Sequence, residues 1–333
     1  MIMADYTIIK MSHLSPIHIG TGRENYDMAA SELHSDTISS ALAAIGANTG
    51  LCDDIKTFIS SFAISSAFPY HDNCFFLPRT QGRLDITVTD AKEHEYRKQL
   101  KKVRYIEQSL WLEMATGNNL KIKKSQIKGS FIVPDSALTD DESPMISQSQ
   151  ISQRVSVPRD GSKDAEPFFF DWHYYAENAG LYCITDAKGD TLDKVKELFT
   201  ILGETGIGTD KSVGGGKFDV ETFPFTYNEP SGANKSVLMS LYIPTQEEFA
   251  EIMNNGSTYS LIQRGGYMAG SDKPQFRHLR KKMIYAFSTG SVFETTSKLD
   301  GKVVDLRPAW NDDTMHPVYR SGKPIVFKIK QRL

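Results

Sequence analysis

Six glycines fall within the fifteen residues Gly203 to Lys217, in a segment that opens where a helical pattern stops and closes where an extended one begins. Leu192, Val195, Phe199 and Leu202 keep helical spacing up to the first glycine, and residues 218–222 read as a strand after the last. Glycine at that density lets backbone approach something closely. The segment does not fit a nucleotide phosphate loop. That motif runs G-x-x-x-x-G-K-[ST] from strand into helix, whereas here Lys211 follows Asp210 and Lys217 precedes Phe218. Two roles remain. Gly206, Gly208, Gly214, Gly215 and Gly216 either bring backbone N–H groups up to a phosphate backbone, with Lys211, Ser212 and Lys217 as added donors, or they simply connect two elements.

The elements around this loop follow a recognisable order. Residues 6–11 read as a strand, residues 12–22 as a loop, and Ser35 or Asp36 caps a helix with Ile38, Leu42 and Ile45 on one face. Residues 51–62 predict a second helix and residues 74–78 a buried strand ended by proline. Residues 90–116 show the clearest helical period, and their lysines and arginines fit either a solvated helix face or a polyanion contact. The polar segment 136–153 reads as mobile. A hairpin follows, with alternation over 151–157, a turn at Asp160-Gly161 and an aromatic strand over 166–175. Residues 180–185 supply the next strand, before the helix that leads into the glycines. The sum is βαββαβ with a long insertion, the ferredoxin-like, RRM-like pattern, on which many unrelated functions are built. Residues 1–228, with the insertion over 79–175 and the glycine loop over 203–217, make one expected domain, and 229–333 the other.

Charge narrows the partners. The 333 residues carry 38 basic and 41 acidic side chains, a net charge of −3, which argues against a uniformly basic coat. The total hides segregation: residues 1–78 sum to −5, 79–133 to +6, 134–260 to −12 and 261–333 to +8. Blocks of this kind fit a polyanion on one surface and a protein on another. No apolar run is long enough to span a membrane, no signal peptide is evident, and a cytoplasmic location is expected. The three cysteines form no C-x-x-C pair, and the eight histidines have no metal-ligand spacing. No nucleophile elbow is present. His18, in the loop after the first strand, is a conceivable general base, but a structural or RNA-contacting role weighs more.

Specific residues carry a family resemblance. Leu14-Ser15-Pro16-Ile17-His18-Ile19-Gly20, followed by Leu33-His34-Ser35-Asp36-Thr37, resembles the amino-terminal signature of RAMP-superfamily subunits of type III-A CRISPR (Csm) effector complexes, and most of all the fourth of those subunits. Residues 203–218 resemble the RAMP glycine-rich loop, and residues 259–267 and 316–323 resemble the carboxy-terminal half of the same subunit type. The resemblance implies an α+β chain of two ferredoxin-like RAMP modules, the first with a β-hairpin thumb at 151–175 that wedges beside a flipped nucleotide, the second divergent. It implies a non-catalytic subunit that holds the 5′ handle of the CRISPR RNA (crRNA) and joins the large polymerase-like subunit to a backbone RAMP subunit. No cofactor, metal, membrane or small-molecule substrate is expected. The expected RNA contacts are His18, Gly20, His34 and Ser35 from the signature, Lys124 and Lys128 from the insertion, and Arg154 and Arg159 from the hairpin. To these are added the glycine-loop residues named above, with Arg264 and Arg320 from the carboxy-terminal motifs. The alternative is a RAMP-type metal-independent endoribonuclease that processes precursor RNA, with His18 as its base.

Overall fold

The computed structural model describes residues 3–20, 26–137, 146–158, 164–268, 271–310 and 312–331. Its centre is built from β1 (Met3–Ser12), α1 (Ser35–Thr49), β2 (Phe68–His71), β3 (Ala179–Thr185), α2 (Gly189–Thr205) and β4 (Asp219–Asn228). The strands lie in the order β4-β1-β3-β2, each neighbouring pair antiparallel. This is the βαββαβ order read from the sequence.

Alternation along β1 explains why the sheet is buried on both sides. Successive side chains of a strand point to opposite faces. Ile9 and Met11, with Leu181 and Cys183 of β3, therefore meet Ile38 and Leu42 of α1 and Val195, Phe199 and Leu202 of α2. Ile8, Tyr182 and Ile184 face the other way and pack against Val237, Met239, Val292 and Phe327 of the carboxy-terminal part and Ile106 and Trp111 of the insertion. Full burial of such a side chain contributes about 1.5–3 kcal/mol. The segments expected as two domains, 1–228 and 229–333, thus share a core.

Several expectations need correction. The second core strand is Phe68–His71, not residues 74–78; Cys74–Pro78 pairs outside it and begins a four-strand extension with Tyr105–Glu107, Phe131–Ile132 and Ile127–Lys128. The helix over 90–116 is two helices, Glu93–Lys102 and Gln108–Ala115, because Val103 turns extended and the chain joins the sheet at Tyr105–Glu107. The helix expected over 51–62 is confined to Ile55–Ser60, capped by the Asp54 side chain. Ser35 and Asp36 lie inside the first turn of α1, whose N-cap position is His34. The first hairpin strand starts at Ser147, so residues 147–153, read as mobile, are paired strand.

The described residues of 229–333 include a three-stranded sheet (Lys235–Leu238, Val292–Phe293 and Val326–Ile329), two strand pairs and one α-helix, Gln246–Ile252. Among the described residues this part shows no four-stranded βαββαβ sheet. No helix among them is long and apolar enough to cross a membrane.

Candidate nucleic-acid interface

Three segments distant in sequence meet beside the end of α2. The first is the loop after β1. The second is the hairpin Ser147–Ser156 and Glu166–Tyr175, paired antiparallel over ten residues. The third is the glycine loop.

Backbone hydrogen bonds fasten the three together. Ile17 and His173 exchange N–H···O bonds at 3.0 and 2.9 Å. Gly216 donates to the Pro16 carbonyl at 3.0 Å and Thr209 to the His18 carbonyl at 3.0 Å. Ser15 ties the loop a third way: its hydroxyl donates to Gly214 O at 2.8 Å and accepts from the Lys217 N–H at 2.7 Å. Asp171, buried in the hairpin, accepts from the Ala29 N–H at 3.0 Å and from the Ser149 hydroxyl. Arg154 pairs with Asp210 and lies 4.5 Å from the centroid of Phe170 and 5.2 Å from that of Trp172.

The glycines serve this closure first. At Gly216, with φ of +69°, an added Cβ would sit 1.8 Å from the Ile207 carbonyl oxygen. Gly206, Gly208 and Gly215 are crowded by Gly215 O, His18 O and the Trp172 ring in the same manner. Gly214, by contrast, has nothing within 4 Å of where its Cβ would go. The close approach required by the glycines is therefore to the protein's own chain. What the closed loop presents outward is Lys211, Ser212, Val213 and Lys217, all exposed.

The expected contacts divide sharply. Lys211, Ser212, Lys217, Gly214 and Gly20 lie on or beside the glycine loop, and the half-exposed Arg154 reaches that loop through Asp210. Tyr26 of the first loop packs on Phe168 and Phe170 of the same hairpin face, whereas the exposed Ile151, Val155 and Phe169 alternate with these residues and so project from the hairpin's outer face. His18 is only 1% exposed: its Nδ1 is 2.8 Å from the Asp171 carbonyl and its ring 4.6 Å from Phe170. His34 and Ser35 are buried at the start of α1. Lys124 and Lys128 lie at the far end of the eight-stranded sheet, with six strands between that edge and β4. Arg159 and the Asp160-Gly161 turn lie outside the described residues.

Arg264 and Arg320 are committed elsewhere. Asp36, 1% exposed, accepts from Arg264 Nε and Nη2 at 2.9 and 3.0 Å and from Arg320 Nη1. Burial works to raise the Asp36 pKa, but the two guanidinium charges outweigh it and bring it to about 2. Ser35 extends the clamp, its hydroxyl accepting from Leu241 N–H at 2.9 Å. The arginines are spent on holding the carboxy-terminal part to α1. Sequence reading did not single out Asp171 and Trp172, the hairpin's anchors to both loops; the aromatic run 166–175 was their signal.

Residues 231–329 match the family model of the CRISPR Csm4 C-terminal domain. A Csm4 protein of Mycobacterium tuberculosis is 28% identical over 186 residues, 54% of this chain and 57% of that protein. The chain is similar to Csm4 proteins. It thus spans a little over half the length of this curated relative. The fold agrees over nearly the whole chain with the crystal structure of a Csm3–Csm4 subcomplex in the type III-A CRISPR-Cas interference complex, at a TM-score of 0.61, 16% identity and coverage of 98% and 99%. It agrees with that of a Csm1–Csm4 cassette in complex with cA4 at a TM-score of 0.60 and 16% identity, covering 99% of each chain. The family domain begins at residue 231, just after β4, and contains both arginines of the Asp36 clamp. The start of α1 and the matched carboxy-terminal domain thus meet at a single buried carboxylate, Asp36.

Proposed function

We propose that this chain is a non-catalytic, crRNA-binding subunit of a type III-A CRISPR effector complex. It holds the 5′ handle on the surface shared by the glycine loop and the hairpin, and it joins the large polymerase-like subunit to a backbone RAMP subunit. The observation that carries the reading is the exposure of Lys211, Ser212 and Lys217 on a loop that backbone hydrogen bonds fasten to a hairpin bearing exposed apolar and aromatic side chains. A cationic loop fastened to a hairpin with exposed apolar and aromatic side chains suits single-stranded RNA, whose phosphates need charge and whose bases need stacking partners. Solved relatives that pair Csm4 with Csm3 or with Csm1 support the two protein contacts. On this reading the βαββαβ unit is the first RAMP module, residues 229–333 a divergent second, and the hairpin the thumb that wedges beside a flipped nucleotide.

Burial of His18 weighs against the endoribonuclease reading. A general base has to reach the 2′-hydroxyl of the RNA, and this ring is sealed under Phe170.

The test is binding of a repeat-derived RNA to the full chain by fluorescence anisotropy across a salt series. Replacing Lys211 and Lys217 with alanine is expected to weaken binding and to lower the slope of log affinity against log salt by about 0.7 per lost phosphate contact. Affinity and slope unchanged at low salt would reject the assignment. Cutting of the repeat RNA that disappears on His18→Ala would instead promote the nuclease reading.

A further inference from the structure

A pocket of about 390 Å³ opens between the outer side of α1 and the carboxy-terminal part, and no residue of the hairpin or the glycine loop lines it. Ala43, Ala44 and Ala47 of α1 form one wall, with Val318 near them. Side chains that end at Cβ leave that helix surface flat. Lys281 lines the pocket too, and its ammonium has no hydrogen-bond acceptor among the described residues.

Lys281 also stands in an unbalanced field. Arg264 and Arg320 share the one carboxylate of Asp36, so three cations meet a single anion. Burial, and then the charge of Arg320, lower the Lys281 pKa to about 8, which leaves it mostly protonated at neutral pH. Asp272, also on the lining, is exposed, and Lys273 beside it offsets its charge. A half-buried ammonium beside two guanidiniums costs stability until an anion joins it. Asn48, at the edge of the alanine wall, offers a donor and an acceptor.

We propose that this pocket binds a nucleoside monophosphate, its phosphate against Lys281 and its planar base on the alanine wall, with Asn48 at the edge of the base. The volume lies within the range of small-ligand sites. The same chemistry is available from a free nucleotide or from the phosphate-bearing end of an RNA strand. The inference stands independently of the RNA-holding surface described above.

Titration calorimetry of the full chain with AMP, GMP, CMP and UMP in turn, and with inorganic phosphate as the comparison, tests it. At least one nucleotide is expected to bind more tightly than phosphate. Lys281→Met should weaken that binding about tenfold or more, since a hydrogen bond to a charged group is lost. Ala47→Phe, at an exposed helix position, should block the wall. Ala47→Phe should keep the wild-type melting temperature, Lys281→Met should keep or raise it because an unpaired ammonium is removed, and both should keep the wild-type affinity for repeat-derived RNA that carries no terminal phosphate. A short RNA bearing a 5′-phosphate that displaces the nucleotide assigns the site to an RNA end; a failure to displace assigns it to a free nucleotide. No binding by any of the four, or affinity unchanged in both variants, overturns the proposal.

Discussion

The Asp36 clamp and the glycine-loop surface are made of the same residue types and differ in what surrounds them. Arg264 and Arg320 lie against a carboxylate that is 1% exposed, whereas Lys211 and Lys217 stand in solvent above a loop whose own hydrogen bonds are already made. The first arrangement is a structural fastener and the second an open cationic surface. A cation in a motif says that an anion is near, and burial decides whether that anion is part of the fold.

The widest separation between the two is expected on removal of the central anion. Asp36→Ala leaves two guanidiniums buried and unpaired, which costs about 3–5 kcal/mol. Urea unfolding of this variant beside the Lys211/Lys217 double alanine variant measures the contrast, because exposed lysines change stability by less than about 0.5 kcal/mol. A loss below about 1 kcal/mol for Asp36→Ala would erase it.

Glycine placement gives the next largest effect. Gly216→Ala puts a Cβ onto the Ile207 carbonyl at a positive φ, and strain of that kind is on the order of 1–3 kcal/mol or more. Gly214→Ala meets only the left-handed backbone cost, on the order of 1 kcal/mol, because the space around it is open. Thermal melts and RNA binding should both rank Gly216→Ala as the more damaging; equal effects would mean that the loop closes in another way.

Acid separates the two regions more gently. The folded-state pKa of Asp36, about 2, lies below its ordinary 3.8, so the clamp's contribution is fully present above about pH 5 and is lost as pH falls toward 2. The shift corresponds to about 2 kcal/mol. Between pH 5 and pH 2 the parent should lose about that much more stability than an Asp36→Leu, Arg320→Met variant. The surface lysines titrate nowhere in this window. An equal loss in both proteins would place the acid sensitivity elsewhere.

How much of this was legible beforehand follows from the range of the interactions. Hydrophobic periods gave the βαββαβ order, because each element shows its buried face within a few residues. They missed Phe68–His71, a four-residue strand that contains Pro69, and they ran one helix through Val103, where the sheet extension requires extended chain. The site was legible to the extent that its determinants are local. The glycine density and the aromatic run 166–175 marked two of the three segments that meet. The pairing of Arg264 and Arg320 was not legible because their partner Asp36 lies 228 and 284 positions away, and nothing near either arginine distinguishes a clamp from a phosphate contact. The burial of His18 was not legible for a related reason: the hairpin that seals it comes 153 residues later.

The smallest expected effect tests the open surface alone. Phe169 is 57% exposed on the outer side of the hairpin, across from Gln153, and takes part in none of the contacts that fasten the hairpin to the loops. Its removal therefore has little to cost the fold. If RNA lies on this face, Phe169→Ala removes one stacking partner, and stacking on an aromatic side chain is worth about 1–3 kcal/mol per base, with the lower end appropriate to a ring that stays half in water. Affinity should fall about fivefold, with the salt slope unchanged because no phosphate contact is lost. Stability should stay within about 0.5 kcal/mol of the parent. A variant that loses stability but not affinity would move Phe169 to the structural side of the comparison, and with it the hairpin's outer face.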